Sequence, residues 1–242
     1  GEGVGEGSVT LEPAFDAFAA RYDGGAPQVV FTRLIDDLET PVSAYLKIGH
    51  GRPYAFLFES VEGGAWRGRY SVITLDPDVV WRCLGDKAEI AEGAAIAEGA
   101  FTPQGGGALD SLRDFVAGAR MDIPAGLPPM VAGVFGALGY DTVRLVERLP
   151  DVNPDPLGLP DGVMVRPQIV AVFDAIAQEI ILATTVRPGP ASAQAAYDAA
   201  RARLDAVRAA LRKPTPQLRG TATPEPDAFA TPVSREDYRG IV

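Results

Sequence analysis

The segment 57–77, LFESVEGGAWRGRYSVITLDP, brings together an acid, a hydroxyl and two guanidinium groups. Apolar residues run directly into Glu59 and Ser60, a glycine-rich stretch follows, and Arg67 and Arg69 precede the next apolar run. Such a set at one end of a sheet suits an amino-acid zwitterion, whose ammonium needs an acceptor and whose carboxylate needs a donor. A hairpin whose Glu–Arg pairs lie on the surface is the alternative that these residues leave open.

Three glycines form a second pattern, Gly133, Gly136 and Gly139, in the apolar run VAGVFGALG. Their GxxGxxG spacing differs from the GxGxxG that lets backbone amides approach a pyrophosphate, and no Walker lysine follows. Glycines at every third position of a strand more often allow another backbone to approach closely. We therefore predict a packing role here and no nucleotide site.

His50 and Cys83 are the only histidine and the only cysteine in the chain. A zinc site built on several histidines is thereby excluded, as is any catalytic triad that does not use His50 as its base. The turn-like GHGRP around His50 predicts a solvated loop residue. The apolar VVWRCL around Cys83 predicts a buried structural thiol.

The charge and hydropathy of the chain argue against two classes of partner, nucleic acids and membranes. The net charge of −10 repels a phosphate backbone, so we expect no nucleic-acid partner. The sequence has no stretch of about eighteen uncharged apolar residues, so it predicts no membrane span. The first ten residues lack the basic start and apolar core of a secretory signal. We therefore expect a cytoplasmic protein with no membrane partner.

Hydrophobic periodicity predicts an α+β fold with largely antiparallel sheets and outer helices. The IVAVF run at 169–173 is apolar on both faces, which predicts a central strand covered twice. Helices are predicted over 11–22, 41–48, 108–119, 140–149 and 191–212, and strands over 28–35, 54–59, 69–75, 78–84, 87–91, 131–139, 163–173 and 178–186.

Domain boundaries follow from composition. We predict a flexible tail over 1–10, one domain over 11–212 and a linker over 213–233, which contains five prolines and no periodicity. Ser234 followed by Asp237 predicts a helix N-terminus. We interpret 234–242 as the start of a further domain and expect the chain to be a fragment.

Four separated motifs occur along the chain, TPVSAYLK at 40–47, LFES at 57–60 with WRGRYS at 66–71, GALGYDTVR at 136–144, and SREDY at 234–238. In this order they resemble the amino-terminal region of anthranilate synthase component I, the large subunit in the family of chorismate-utilising enzymes. Phe58 replaces the second leucine of the family's leucine-leucine-glutamate-serine motif, and an arginine is inserted between its tryptophan and glycine.

The resemblance implies both a fold and a function. The family's amino-terminal region stacks two sheets between outer helices, an α/β/β/α arrangement, and binds L-tryptophan as a feedback inhibitor. Its inhibitor-site residues map to Ser60, Glu59 and Leu57, and its basic residue to Arg69 or Arg67. The chain would stop before the chorismate-binding domain and so would contain no catalytic residue or metal ligand and be inactive alone.

The resemblance also implies the whole protein's chemistry. The family converts chorismate and ammonia to anthranilate and pyruvate with Mg²⁺, and a glutamine amidotransferase subunit supplies the ammonia. Two alternatives remain open. One is aminodeoxychorismate synthase component I, a relative in the folate pathway. The other is a stand-alone amino-acid-sensing module without an enzyme attached.

Overall fold

The computed structural model describes residues 10–35, 38–59, 68–150, 154–216 and 233–241. The helices are α1 (Phe15–Asp23), α2 (Pro41–Ile48), α3 (Ala94–Glu98), α4 (Ala108–Ala119), α5 (Ala193–Leu211) and α6 (Arg235–Ile241). The strands are β1 (Gln28–Ile35), β2 (Phe56–Glu59), β3 (Tyr70–Leu84), β4 (Lys87–Glu92), β5 (Thr102–Pro103), β6 (Phe135–Leu138), β7 (Gly162–Asp174) and β8 (Glu179–Val186).

Two long antiparallel strands, β3 and β7, pair along most of their length and connect all the others into one sheet. Around residues 70–75 and 169–174 the strand order is β1-β8-β7-β3-β2, which we call subsheet 1. Around residues 79–84 and 162–166 the order is β6-β7-β3-β4-β5, which we call subsheet 2. Each subsheet is therefore one half of the same two long strands with different neighbours.

The division between the subsheets lies where Pro77 pairs with Pro167. Neither proline has an N–H to donate to the strand ladder. The register shifts immediately afterwards, between Pro77 and Val79, so Asp78 is an extra residue on β3. A β-bulge of this kind bends a strand and increases its twist. The side chain of Asp78 accepts two hydrogen bonds from Arg166, at 2.7 and 2.9 Å.

Three helices, α1, α2 and α5, cover one face of subsheet 1. The predicted stripe of α5 is buried along its length, at Tyr197, Ala200, Leu204, Val207 and Leu211. Thr40 accepts a hydrogen bond from the Ser43 backbone N–H in a capping box, with proline at the first helical position of α2. Lys47 of α2 pairs with Glu39 and donates to the Leu211 carbonyl, which ties α2 to α5. The TPVSAYLK motif is therefore explained by helix capping and helix packing.

The opposite face of subsheet 1 packs against segment 121–135 and reaches subsheet 2. Val72, Val170 and Ile181 form its centre, with Val131 buried among them. The ring of Phe58, on β2, lies 5.8 Å from the ring of Phe135, on β6, so the subsheets meet along this face. Helix α4 packs on subsheet 2 through Phe115, beside Trp81. The structure thus confirms the α+β class with antiparallel strands and outer helices.

Some predicted elements differ in extent. The strands predicted at 69–75 and 78–84 are a single strand, because the bulge at Asp78 bends β3 without ending it. In the run predicted as a strand over 131–139, only 135–138 pair, and residues 140–145 form a 3-10 helix where we predicted a longer α-helix. The 169–173 run is central as predicted, between β3 and β8.

The spaced glycines lie where backbones approach closely. A Cβ on Gly136 would lie 2.0 Å from the Val163 carbonyl oxygen, and one on Gly139 would lie 3.0 Å from the Asp161 carbonyl oxygen. Gly133 meets nothing within 4 Å, but its φ of +140° favours glycine. The packing interpretation of Gly136 and Gly139 is therefore confirmed.

The domain boundaries remain predictions. Most of the predicted tail, residues 1–9, and most of the predicted linker, residues 217–232, lie outside the described residues. The helix signal after the linker is confirmed, because the Asp237 backbone N–H donates to the Ser234 hydroxyl at the start of α6.

We expect Asp78→Ala to lower the free energy of unfolding by about 1–3 kcal/mol, because Arg166 loses its carboxylate partner in a partly buried place. Burial already lowers the pKa of Arg187 and Arg203, and Asp78 partly offsets this effect at both. The measurement is urea unfolding followed by circular dichroism. Asp110→Ala is the matched control, since its pair with Arg113 is more than two-thirds exposed, and it should change stability by less than about 0.5 kcal/mol. If the two substitutions lowered the free energy of unfolding equally, the Asp78–Arg166 pair at the bulge would contribute no more than an exposed surface pair.

Candidate functional site

The predicted inhibitor site lies at one end of subsheet 1. Strand β2 ends there at Glu59 and β3 begins at Tyr70, while β7 ends at Asp174. Ser60, Trp66 and Arg67 lie outside the described residues, so the structure describes Glu59, Leu57 and Arg69 of the predicted set.

Glu59 and Arg69 have neighbouring backbones. Glu59 pairs with Ser71, and Arg69 lies two residues before Ser71 along the chain. Diagonal neighbours of this kind in an antiparallel pair are about 7–8 Å apart. The side chain of Glu59 is exposed. The structure therefore brings the predicted carboxylate and the predicted arginine to the same sheet end.

The guanidinium of Arg69, however, binds Asp174 on β7. Its Nε donates to both carboxylate oxygens at 3.0 Å and its Nη2 donates to Oδ2 at 2.6 Å. It also lies over the Tyr70 ring, 4.8 Å from the centroid. Since β3 lies between β2 and β7, this contact is on the side of β3 away from Glu59. Arg69 keeps 47% of its side chain exposed, so it is held without being enclosed.

Asp174 organises this end of the sheet. Its side chain is 4% exposed, and Oδ1 also accepts from the backbone N–H groups of Ile176 and Ala177, which form the turn into β8. The hydrogen bond from Arg69 lowers the pKa of Asp174 below its ordinary value; burial opposes this shift and the two turn amides add to it. The same pairing raises the pKa of Arg69. Asp174 therefore stays ionised and fixes both the turn and the arginine.

Leu57, a predicted inhibitor-site residue, takes part in the packing of the hydrophobic core. It pairs with Ile73 and packs against the core between subsheet 1 and the helices. Its neighbour Phe58 points to the opposite face, towards Phe135. Leu57 is half-buried, and it shares its face of β2 with Glu59 because side chains alternate along a strand.

His50 and Cys83 have the environments that the sequence predicts for them, a solvated loop and the buried interior. His50 is exposed after α2. Cys83 is fully buried, and burial raises the pKa of its thiol. Among the described residues, no group of three or more histidine, cysteine, aspartate or glutamate side chains could hold a metal ion. No helix in the described part of the chain is long and apolar enough to cross a membrane.

The sequence analysis missed Asp174 as a member of this site. The strands predicted over 163–173 and 178–186 leave Asp174 in the connection between them, with no role assigned. A signal was present, because an aspartate at the end of an apolar strand and directly before a turn commonly accepts a hydrogen bond from the backbone N–H two residues on. Its pairing with Arg69, 105 residues away in sequence, depends on the β3–β7 register, which sequence spacing does not reveal.

Comparison with known proteins gives a consistent family. The chain is 42% identical to anthranilate synthase component 1 of Cereibacter sphaeroides over 231 residues, which is 95% of this chain and 46% of that protein. It is 36% identical to the Pseudomonas putida protein of the same name over 85% of this chain and 42% of that protein. The corresponding protein of Mycolicibacterium smegmatis is 37% identical over 88% of this chain and 40% of that protein.

Two further comparisons complete these findings. No protein-family profile matches the chain. A crystal structure of anthranilate synthase component I from Streptococcus pneumoniae aligns with a TM-score of 0.47 and 20% identity, over 76% of this chain and 37% of that one.

The chain spans a little under half the length of the curated relatives that it matches. The match covers nearly all of this chain in the first of these relatives, and the resemblance seen in the four motifs is confirmed. This chain belongs to the anthranilate synthase component 1 family.

Proposed function

We propose that this chain is the tryptophan-binding, feedback-inhibited region of an anthranilate synthase large subunit. Family membership is the observation that carries the proposal. The whole protein would act in the cytoplasm and convert chorismate and ammonia to anthranilate and pyruvate. The ammonia would come from glutamine through an amidotransferase subunit, and the relatives' name, component 1, is compatible with a second component.

We assign the catalytic residues of the proposed reaction to the part of the relatives that this chain does not span. The described residues supply no cluster of metal ligands. In the family that the four motifs resemble, the Mg²⁺ belongs to the chorismate-binding domain, so we assign it to that other part. On this view the chain's own contribution is regulatory.

The geometry at the end of subsheet 1 supports a regulatory site around Glu59. An exposed carboxylate stands at the end of β2, beside the segment 60–67 that carries Ser60 and Arg67. We propose that Glu59 accepts from the ammonium of L-tryptophan and that an arginine and Ser60 donate to its carboxylate. Because Arg69 is already bound to Asp174, we rank Arg67 ahead of Arg69 as the ligand-facing arginine.

Inhibition in this scheme is a coupling between two sites. Tryptophan must bind the inactive arrangement more tightly than the active one, typically by roughly 1–3 kcal/mol. A sheet end suits this role because its loops can rearrange while the paired strands stay fixed.

Aminodeoxychorismate synthesis is the nearest competing activity. The full-length protein containing this chain, supplied with chorismate, an ammonium salt and Mg²⁺, should yield anthranilate and pyruvate, identified by chromatography and mass. The chain of 242 residues is the control and should yield neither product. Formation of the 4-amino isomer would overturn the assignment, and no turnover by the full-length protein together with saturable binding of an amino acid would favour a sensing module.

We expect Ser60→Arg in the full-length enzyme to abolish inhibition by L-tryptophan, because the larger cation would fill the proposed site. The readout is the ratio of initial rates with and without tryptophan within each variant. Ala117→Arg, at an exposed position on α4, is the control for an added arginine and should keep the inhibition. Loss of inhibition in Arg67→Ala but not in Arg69→Ala would support Arg67. Full inhibition of Ser60→Arg would rule out this site.

Asp174→Asn should destabilise the chain at neutral pH and do so progressively less in acid. The folded-state pKa of Asp174 is lowered, so its contribution is complete above its ordinary pKa, about 3.9, and is lost as the pH falls through the lowered value. Urea midpoints at about pH 7 and at about pH 3 give the difference between wild type and variant. Asp205 also pairs with an arginine, Arg208, but its own side chain is much more exposed than that of Asp174. Asp205→Asn should therefore give a small difference at both pH values. A difference for Asp174→Asn that does not shrink in acid would contradict the ion-pair explanation.

A further inference from the structure

A groove of about 600 Å³ lies between the carboxyl end of α4 and segment 121–134. The carbonyl oxygen of Ala119, one of its lining residues, accepts a hydrogen bond from Arg187, which directly follows the end of β8. Asp174, at the other end of the sheet, pairs with Glu179 at the start of β8. Seven residue steps of a strand span about 23 Å. The groove is therefore separate from the proposed tryptophan site.

Main-chain groups without hydrogen-bond partners line this groove. No other described residue makes a hydrogen bond with the backbone of residues 121–123, 133 or 134. Gly133 has no side chain, so it lines the groove with its main chain. A Cβ added at Gly133 would meet nothing within 4 Å, so the space beside it is open. A ligand in the groove can therefore reach main-chain groups that the fold leaves unused, whereas such groups are nearly always paired in protein interiors.

The walls of the groove are largely apolar. Val116 on α4 is 39% exposed, although it lies on a helix that packs on subsheet 2. Met121, Ile123 and Val134 are half-buried, because each also packs against the core. An apolar side chain placed between these residues would lose contact with water, which favours its binding.

Two guanidinium groups make one end of the groove positive. Arg120, which is exposed at the end of α4, and Arg187 form no ion pair with another described residue. Asp122, the carboxylate in the lining, is already paired with Arg21 at 3.1 Å. Burial lowers the pKa of Arg187, and a nearby carboxylate would favour its charged form. The charges therefore favour an anionic group beside Arg120.

We propose that this groove binds an extended segment of a partner protein, in which an apolar and an acidic side chain lie two residues apart. Such side chains lie on the same face of an extended chain. The apolar one packs against Val116 and Ile123, the acidic one pairs with Arg120, and the main chain bonds to that of Gly133, as in strand addition. At about 30 Å³ per non-hydrogen atom the groove holds roughly twenty atoms, or about three small residues. The probe is therefore the tripeptide acetyl-Val-Ala-Glu-amide.

The test is saturation-transfer NMR observed on the peptide, with the full-length protein that contains this chain. Saturable binding with a dissociation constant of about 1 mM or tighter supports the proposal. The peptide with glutamine in place of glutamate should bind about threefold to tenfold more weakly. Methylation of the alanine or the glutamate nitrogen removes one main-chain donor, and at least one of these two peptides should bind more than about tenfold more weakly.

Three outcomes of this titration overturn the proposal. The first is no saturable binding, and the second is full binding of both N-methylated peptides. The third is binding to the chain of 242 residues but not to the full-length protein, because the rest of the protein would then cover the groove in place of a partner.

Substitutions on α4 locate the site. Val116→Glu places a negative charge in the apolar wall and should weaken the peptide more than about tenfold. Ala117→Glu, at the next position, is exposed and outside the lining, so it should change binding by less than about twofold. In Arg120→Gln the preference for glutamate over glutamine in the peptide should disappear, whereas Arg113→Gln, exposed and outside the lining, should keep it. Unchanged binding in Val116→Glu, or an unchanged glutamate preference in Arg120→Gln, overturns the proposal.

Discussion

The architecture depends on how two long strands cross from one subsheet to the other. Pro77 and Pro167 face each other at the crossing, so the ladder lacks two N–H donors at one level. Asp78 is extruded by the register shift and meets Arg166, while Asp76 adopts a positive φ of 49° just before Pro77. The bend lets each half of β3 and β7 recruit its own neighbours.

The bend also decides which surfaces become core. The two faces of subsheet 1 are both covered, one by α1, α2 and α5 and the other by segment 121–135 and Phe135 of subsheet 2. At the sheet end, where the ladder stops and turns begin, Glu59, Arg69 and Asp174 lie at the adjoining ends of β2, β3 and β7. Position at a sheet end, more than any property of the isolated residues, gives them a possible role.

Sequence reasoning succeeded where a local rule was sufficient. The capping box at Thr40, the apolar stripe of α5 and the doubly covered 169–173 strand each follow from a few neighbouring residues. It failed where long-range pairing decided the outcome. The continuity of β3 through Pro77 depends on β7, and the partner of Arg69 is fixed by strand register. The candidate site itself remains a prediction, and Arg69, which was predicted to bind a ligand, is already bound to Asp174.

The Arg69–Asp174 pair changes how a regulatory site here would work. An arginine bound to a buried carboxylate cannot move to a ligand without leaving that carboxylate uncompensated, which is strongly unfavourable. It can, however, hold the start of β3 and the turn after β7 in fixed positions. A ligand binding at this sheet end would therefore meet a fixed frame formed by β3, β7 and the turn into β8. Since the chain spans less than half of its relatives, the response to that binding would take place largely in the other part of the protein.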